Sequence, residues 1–219
     1  RGGRTRSIDP LRPAEVGRLL DAASSPMHRA IFGLGVGAGL RPAELCGVSW
    51  DDVDFLGGTL RVRGTKTASS WATIPLTDLA RREMARYARY LMDGADGDDG
   101  GVDGEGGPER LQRDIRAHLG GPCFTHPTTG RPISSFKRAL SSSARLAGVD
   151  VCPSTGEPRR IFPYLLRHSF ATLAATSSPP VPLPVAQKVM RHTSSKMLLD
   201  VYAEAGALVV RDGLCNFKL

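Results

Sequence analysis

Apolar positions recur at helical spacing through the first fifty residues. Leu11, Val16, Leu19 and Leu20 predict a helix over 11–22 that Ser24-Ser25-Pro26 ends. Ile31, Leu34 and Val36 predict a second over 27–37, closed by Gly39, since glycine accepts positive φ at a helix C-terminus. Pro42 suits the first position of a third helix through Leu45 and Val48, which leaves Arg41 beside free backbone N–H groups. From Trp50 the period falls to two. Val53 and Phe55, Leu60 and Val62, then Trp71, Thr73 and Pro75 predict three short strands, divided by Gly57-Gly58 and Gly64-Thr65-Lys66-Thr67. A small antiparallel sheet follows. Thr77-Asp78 is a candidate cap for a further helix with Leu79, Met84, Tyr87 and Leu91 on its apolar side. Beyond it the chain reads as helices broken at Gly120-Gly121-Pro122, Thr128-Thr129-Gly130 and Pro153-Ser154-Thr155-Gly156.

Between Asp93 and Glu109 the pattern stops. This stretch holds seven acids, seven glycines and no base. Having almost nothing to bury, it reads as a flexible acidic Gly-rich insertion over 93–109; a linker between two domains is the competing view. It also changes the charge picture. The chain carries a net +7, and removing those seven acids leaves the rest at +14, a balance that favours a polyanion such as nucleic acid. Hydrophobic residues at 41% and charged ones at 23% exclude wholesale disorder. Cys46, Cys123, Cys152 and Cys215 form no CxxC pair, which speaks against structural zinc and a disulfide framework. The apolar run from Ala30 to Leu40 is too short and glycine-rich to span a bilayer, and no secretory signal opens the sequence. The expectation is a soluble intracellular protein, cytoplasmic and nucleoid-associated if bacterial, with no membrane partner.

Candidate chemistry lies in three segments. In Pro163-Tyr164-Leu165-Leu166-Arg167-His168-Ser169-Phe170-Ala171-Thr172-Leu173, Leu166, Phe170 and Leu173 form a buried helical stripe. Tyr164, Arg167 and His168 share a neighbouring face, either as a phosphate clamp or as an ordinary solvated surface. Near the C-terminus a helix ends around His192, Ser194 or Ser195 caps the next, and Tyr202 lies about two turns inside it. With Gly39-Leu40-Arg41-Pro42-Ala43-Glu44-Leu45, this order of Arg, Lys, Arg, His and Tyr resembles the catalytic domain of the tyrosine recombinases, the phage integrase family. The resemblance covers nearly the whole chain. It implies an α+β fold, mainly α-helical with a small three-stranded antiparallel sheet, and one catalytic domain over 1–219 whose N-terminal DNA-binding partner domain is absent.

The resemblance also implies roles. Tyr202 is matched to the nucleophile that forms a 3′-phosphotyrosyl link, keeping bond energy in the enzyme–DNA linkage. Arg41 and Arg167 match the clamps on the non-bridging phosphate oxygens, Lys66 the acid that protonates the 5′-hydroxyl, and His192 a phosphate hydrogen-bond donor. The alternative for Arg41 is a salt bridge to Glu44. No metal or other cofactor is implied. Tyr164 departs from the family, which usually has His there. It is expected to hold phosphate, with the two arginines lowering the Tyr202 pKa directly. Arg191 stands where a glycine commonly precedes the His, and is a candidate extra phosphate contact. The expected function is site-specific recombination or integration on double-stranded DNA, with a homotetramer on two sites. Type IB topoisomerase-like relaxation and a degenerate DNA-binding relative are the alternatives. The tail from Ala203 to Leu219 packs either on a neighbouring protomer or on its own core.

Overall fold

A computed structural model describes residues 8–64, 71–94, 107–153, 155–191 and 198–203. Eight helices and three strands are placed: α1 Pro13–Asp21, α2 Pro26–Ala38, α3 Pro42–Cys46, β1 Val53–Asp54, β2 Thr59–Val62, β3 Ala72–Pro75, α4 Asp78–Asp93, α5 Gly107–His118, α6 Lys137–Leu146, α7 Tyr164–Thr176 and α8 Leu183–Met190. A further helical segment covers 198–203. The mainly helical α+β architecture matches the expectation.

The glycine-rich apolar run is the centre of the fold. Every residue of α2 from Ala30 to Ala38 is buried, as befits a helix that is apolar all round and packed on several sides. It packs against α1, α4 and α7. Small residues let the axes approach: a Cβ on Gly35 would fall 2.8 Å from Leu166 Cδ1 of α7. One ion pair crosses the α2–α4 interface, Arg29 Nε donating to the buried Glu83 at 2.7 Å. Gly39 ends α2 at φ 60°, and a Cβ there would collide with Phe170 of α7.

The sheet has the order β1-β2-β3, antiparallel throughout. Leu60, Val62 and Ile74 face the core. This corrects one expectation: Trp71, Thr73 and Pro75 lie exposed, with Ile74 as the inward residue of β3. Trp71 lies under two cations instead, with the guanidinium carbons of Arg61 and Arg63 5.7 and 5.9 Å from its ring centroid. Both arginines hydrogen-bond Oδ1 of the buried Asp52, Arg61 through Nε at 2.8 Å and Arg63 through Nη2 at 3.1 Å. The boundaries of the acidic stretch are also corrected. Asp93 ends α4, and 107–109 open α5, whose Leu111 and Ile115 reach the core; positions 95–106 lie outside the described residues.

The segment before α1 is tied to α7. Leu11 N–H donates to Ser169 Oγ at 2.9 Å, and Ser169 donates on to Leu165 O. Nearby, the buried Arg159 guanidinium donates hydrogen bonds of 2.8 Å to Glu15, Asp9 and the Val149 carbonyl. Removing one member of such a buried ion cluster strands the others, at about 3 kcal/mol or more. Cys46, Cys123 and Cys152 are buried; Cys215 lies outside the described residues. Among the described residues no helix is long and apolar enough to cross a membrane.

Candidate active site

Arg41 sits where the chain turns from α2 into α3. Its backbone is extended at φ −71°, ψ 151°, and Pro42 fixes the first helical position. Arg41 N–H donates to Glu44 Oε2 at 2.7 Å, the third helical residue's side chain accepting from the cap as in a capping box. The guanidinium reaches Glu44 Oε1 at 2.9 Å through Nη1 and the Arg191 carbonyl at 2.9 Å through Nη2. The salt bridge weighed against phosphate binding is therefore present. It leaves three of the five guanidinium N–H groups for another acceptor.

Arg167 arrives from α7. That helix is buried on most sides through Leu165, Leu166, Phe170 and Ala171, and Arg167 itself is only 3% exposed. The solvated-face alternative fails for this residue. Its Nη1 donates to the Gly39 carbonyl at the end of α2, and its Nη2 to the Met190 carbonyl at the end of α8. Helix C-termini present carbonyls without intrahelical partners, so a cation is favoured there. Burial, then the neighbouring charges of Arg41 and Arg191, push the Arg167 pKa down to about 10, against the pull of Glu44 and Tyr164. It remains protonated at neutral pH.

The two arginines meet at the end of α8. Met190 and Arg191 are consecutive, and each carbonyl receives one guanidinium. Tyr164, one turn before Arg167 on α7, is 47% exposed. His168 is half-buried against Phe162, ring centroids 6.2 Å apart, and burial followed by the Arg167 charge lowers its pKa. Lys66 and His192, with the Ser194 or Ser195 cap, lie outside the described residues.

Tyr202 is placed elsewhere. Its hydroxyl donates to the Val181 carbonyl at 2.7 Å, just before α8. Arg167 is bonded to the last residue of that helix, and an eight-residue helix is about 12 Å long. The phenol and the guanidinium thus occupy opposite ends of α8. Burial raises the Tyr202 pKa. This corrects the expectation that the arginines lower it: in this arrangement their donors are directed to Glu44, Gly39, Met190 and Arg191.

Glu44, known from the sequence only as a possible partner of Arg41, organises the cluster. Its Oε2 also accepts Nη2 of Arg191. Burial pushes its pKa upward, but the Arg41 N–H, the Arg191 guanidinium and the Arg41 side chain outweigh that and hold it below its ordinary value. A depressed folded-state pKa stabilises the fold above the unfolded-state value, and the contribution is lost as pH falls through the folded one. Melting temperature measured from pH 6 downward is therefore expected to drop below about pH 4.5, the usual glutamate range. Glu44→Gln should melt lower than the parent near neutrality and show a shallower acid decline.

The sequence profile of the phage integrase family matches residues 10–207. An integrase/recombinase of Escherichia coli is 30% identical over 93% of this chain and 63% of its own length. The chain spans 21% to 63% of the curated relatives it matches. Among solved structures, the XerA recombinase covers the whole chain at TM-score 0.69 and 17% identity, the chain spanning 68% of it. A lambda integrase dimer bound to a COC′ core site covers 92% of the chain at TM-score 0.60 and 20% identity, with 50% of that chain covered. Identities this low carry the fold alone, and the profile match carries the kinship: the chain belongs to the phage integrase family.

Proposed function

We propose that this chain breaks and rejoins double-stranded DNA at specific sites through a 3′-phosphotyrosyl intermediate on Tyr202. The observation that carries this reading is the convergence of Arg41 and Arg167 on two consecutive carbonyls, with N–H donors left on both guanidiniums. Two fixed, partly desolvated cations are what a pentacoordinate phosphorane requires, because negative charge accumulates on its non-bridging oxygens. The Tyr202 oxygen attacks phosphorus as its proton passes to a base or to water. The bond from phosphorus to the 5′-oxygen breaks, and Lys66 supplies the proton that makes the 5′-hydroxyl. His192 and the Tyr164 hydroxyl donate hydrogen bonds to the same phosphate. Rejoining reverses these steps.

Attack requires Tyr202 to leave the Val181 carbonyl and travel to the other end of α8. The DNA-free arrangement is in this reading a resting state, and its equilibrium with the attacking one sets the apparent cleavage rate. On two DNA sites four copies assemble, and exchange of strands between sites separates recombination from relaxation of one duplex.

The test is incubation with nicked duplexes of randomised sequence, from which the short cleaved strand is lost so that rejoining is blocked. A covalent protein–DNA adduct that resists denaturant is expected, with non-covalent binding that weakens steeply as salt rises. Salt-dependent binding without any adduct from such a pool would leave only a DNA-binding relative.

A further inference from the structure

Among the described residues, the non-glycine residue at positive φ is Arg191, at φ 51°, ψ 46°. It closes α8 in the left-handed conformation, which glycine adopts freely and other residues only at a cost. The turn directs its carbonyl to Arg41 Nη2 at 2.9 Å. Glycine would make the same turn without strain, so the arginine side chain needs its own reason to be there. That side chain is only 13% exposed and folds back over the helix end. Nη1 donates to the Val189 carbonyl at 3.1 Å, and Nη2 to Glu44 Oε2. Arg41 holds the other carboxylate oxygen, Oε1, at 2.9 Å.

The geometry points to Arg191 as a positioning residue: by joining the Arg41 backbone N–H on Oε2 of Glu44, it stops that carboxylate from turning both oxygens onto the Arg41 guanidinium, and so keeps the Arg41 fork open toward a phosphate. This rests on the phosphate-binding reading of Arg41 given above. A carboxylate and a guanidinium left alone favour the two-pronged pair, which would occupy two of the donors a phosphate needs. With Arg191 in place, two guanidiniums hold the one carboxylate and Arg167 lies close enough to feel all three charges, so the four groups together keep a net charge of +2. Arg191 is thereby directed at Glu44 and not outward as an extra phosphate contact. Its influence on phosphate runs through Arg41.

The test compares Arg191→Gly, Glu44→Gln and the double variant. Glycine relieves the left-handed turn and so offsets part of the lost ion pair to Glu44; Arg191→Gly should still fold, with a melting temperature somewhat below the parent's. Its single-turnover cleavage at saturating DNA is nevertheless expected to fall about tenfold or more, since small misplacements of a catalytic group have effects of that size. The DNA concentration giving half-saturation should change less. Adding Glu44→Gln is expected to restore part of the lost rate, because glutamine still accepts the Arg41 N–H of the cap but holds a guanidinium weakly. A merely structural arginine would show no such rescue. Parental cleavage by Arg191→Gly, or a double variant slower than the single one, would overturn the assignment. Should the parent form no adduct with any DNA, the cleavage reading fails separately, and the crystal structure of Arg191→Gly decides this one: both Glu44 oxygens on the Arg41 guanidinium supports it, and an unmoved Glu44, with Oε2 still on the Arg41 backbone N–H, ends it.

Discussion

Tyr202→Phe is expected to eliminate the covalent DNA adduct completely, with DNA binding retained. The substitution removes one oxygen atom and the only nucleophile the proposed transesterification uses, so no slower route remains through this residue. Its structural consequence is small. The lost hydrogen bond to Val181 is worth about 1 kcal/mol net, which lowers the melting temperature of a domain of this size by roughly 2–4 °C. Binding depends on phosphate contacts made by other side chains and should keep its salt dependence. Losing this hydrogen bond also frees the helical segment over 198–203 from its resting contact, so binding in the variant should be no weaker. An adduct of normal yield in Tyr202→Phe would assign the nucleophile to another residue.

Arg167→Lys is the second large effect. Lysine keeps the positive charge but presents one ammonium where the guanidinium forks between the Gly39 and Met190 carbonyls. Only part of that pattern is reproducible, and each buried carbonyl left without a donor destabilises by about 1–3 kcal/mol. The chemistry suffers more. Removing one preorganised donor from a site of developing anionic charge slows reaction by about 10²–10³-fold, and a misaligned α8 end would move Arg41 as well. Cleavage is expected to fall on the order of a thousandfold while circular dichroism at 25 °C remains native. A variant that unfolds outright would reduce Arg167 to a structural tie. One that cleaves within tenfold of the parent would remove it from the chemistry.

Which features the sequence disclosed follows from the range over which each is encoded. Arg41 was legible because what fixes its backbone is local: Gly39 to end α2, Pro42 to start α3, and Glu44 three residues on; the Arg191 carbonyl that receives its guanidinium was not. The three strands were legible by period, but the face of β3 was not. Alternation runs equally well through Trp71 and Thr73 as through Ala72 and Ile74, and the choice is made by Leu60 and Val62 across the sheet together with the arginines over Trp71. The acidic composition of the stretch after Asp93 hid the start of α5, whose core contacts begin only at Leu111.

Other features leave no periodic trace. Arg159 and Glu15 lie 144 positions apart, and each alone reads as a surface charge. The acceptors that receive Arg167 and Tyr202 are backbone carbonyls, which no residue type announces. Arg191 did carry a signal, an arginine where glycine is usual, but its partner Glu44 is 147 residues away. The substitution marked the place and only the folded chain supplies the contact.

In the proposed reaction Tyr202 becomes the covalent link to DNA. The most direct test is to capture the adduct on a nicked duplex, digest both protein and DNA, and locate the nucleotide-bearing residue by mass spectrometry. A single modified peptide with a 3′-phosphate-linked nucleotide on Tyr202 is expected. A nucleotide carried by any other side chain, or a link through a 5′-phosphate, would contradict it.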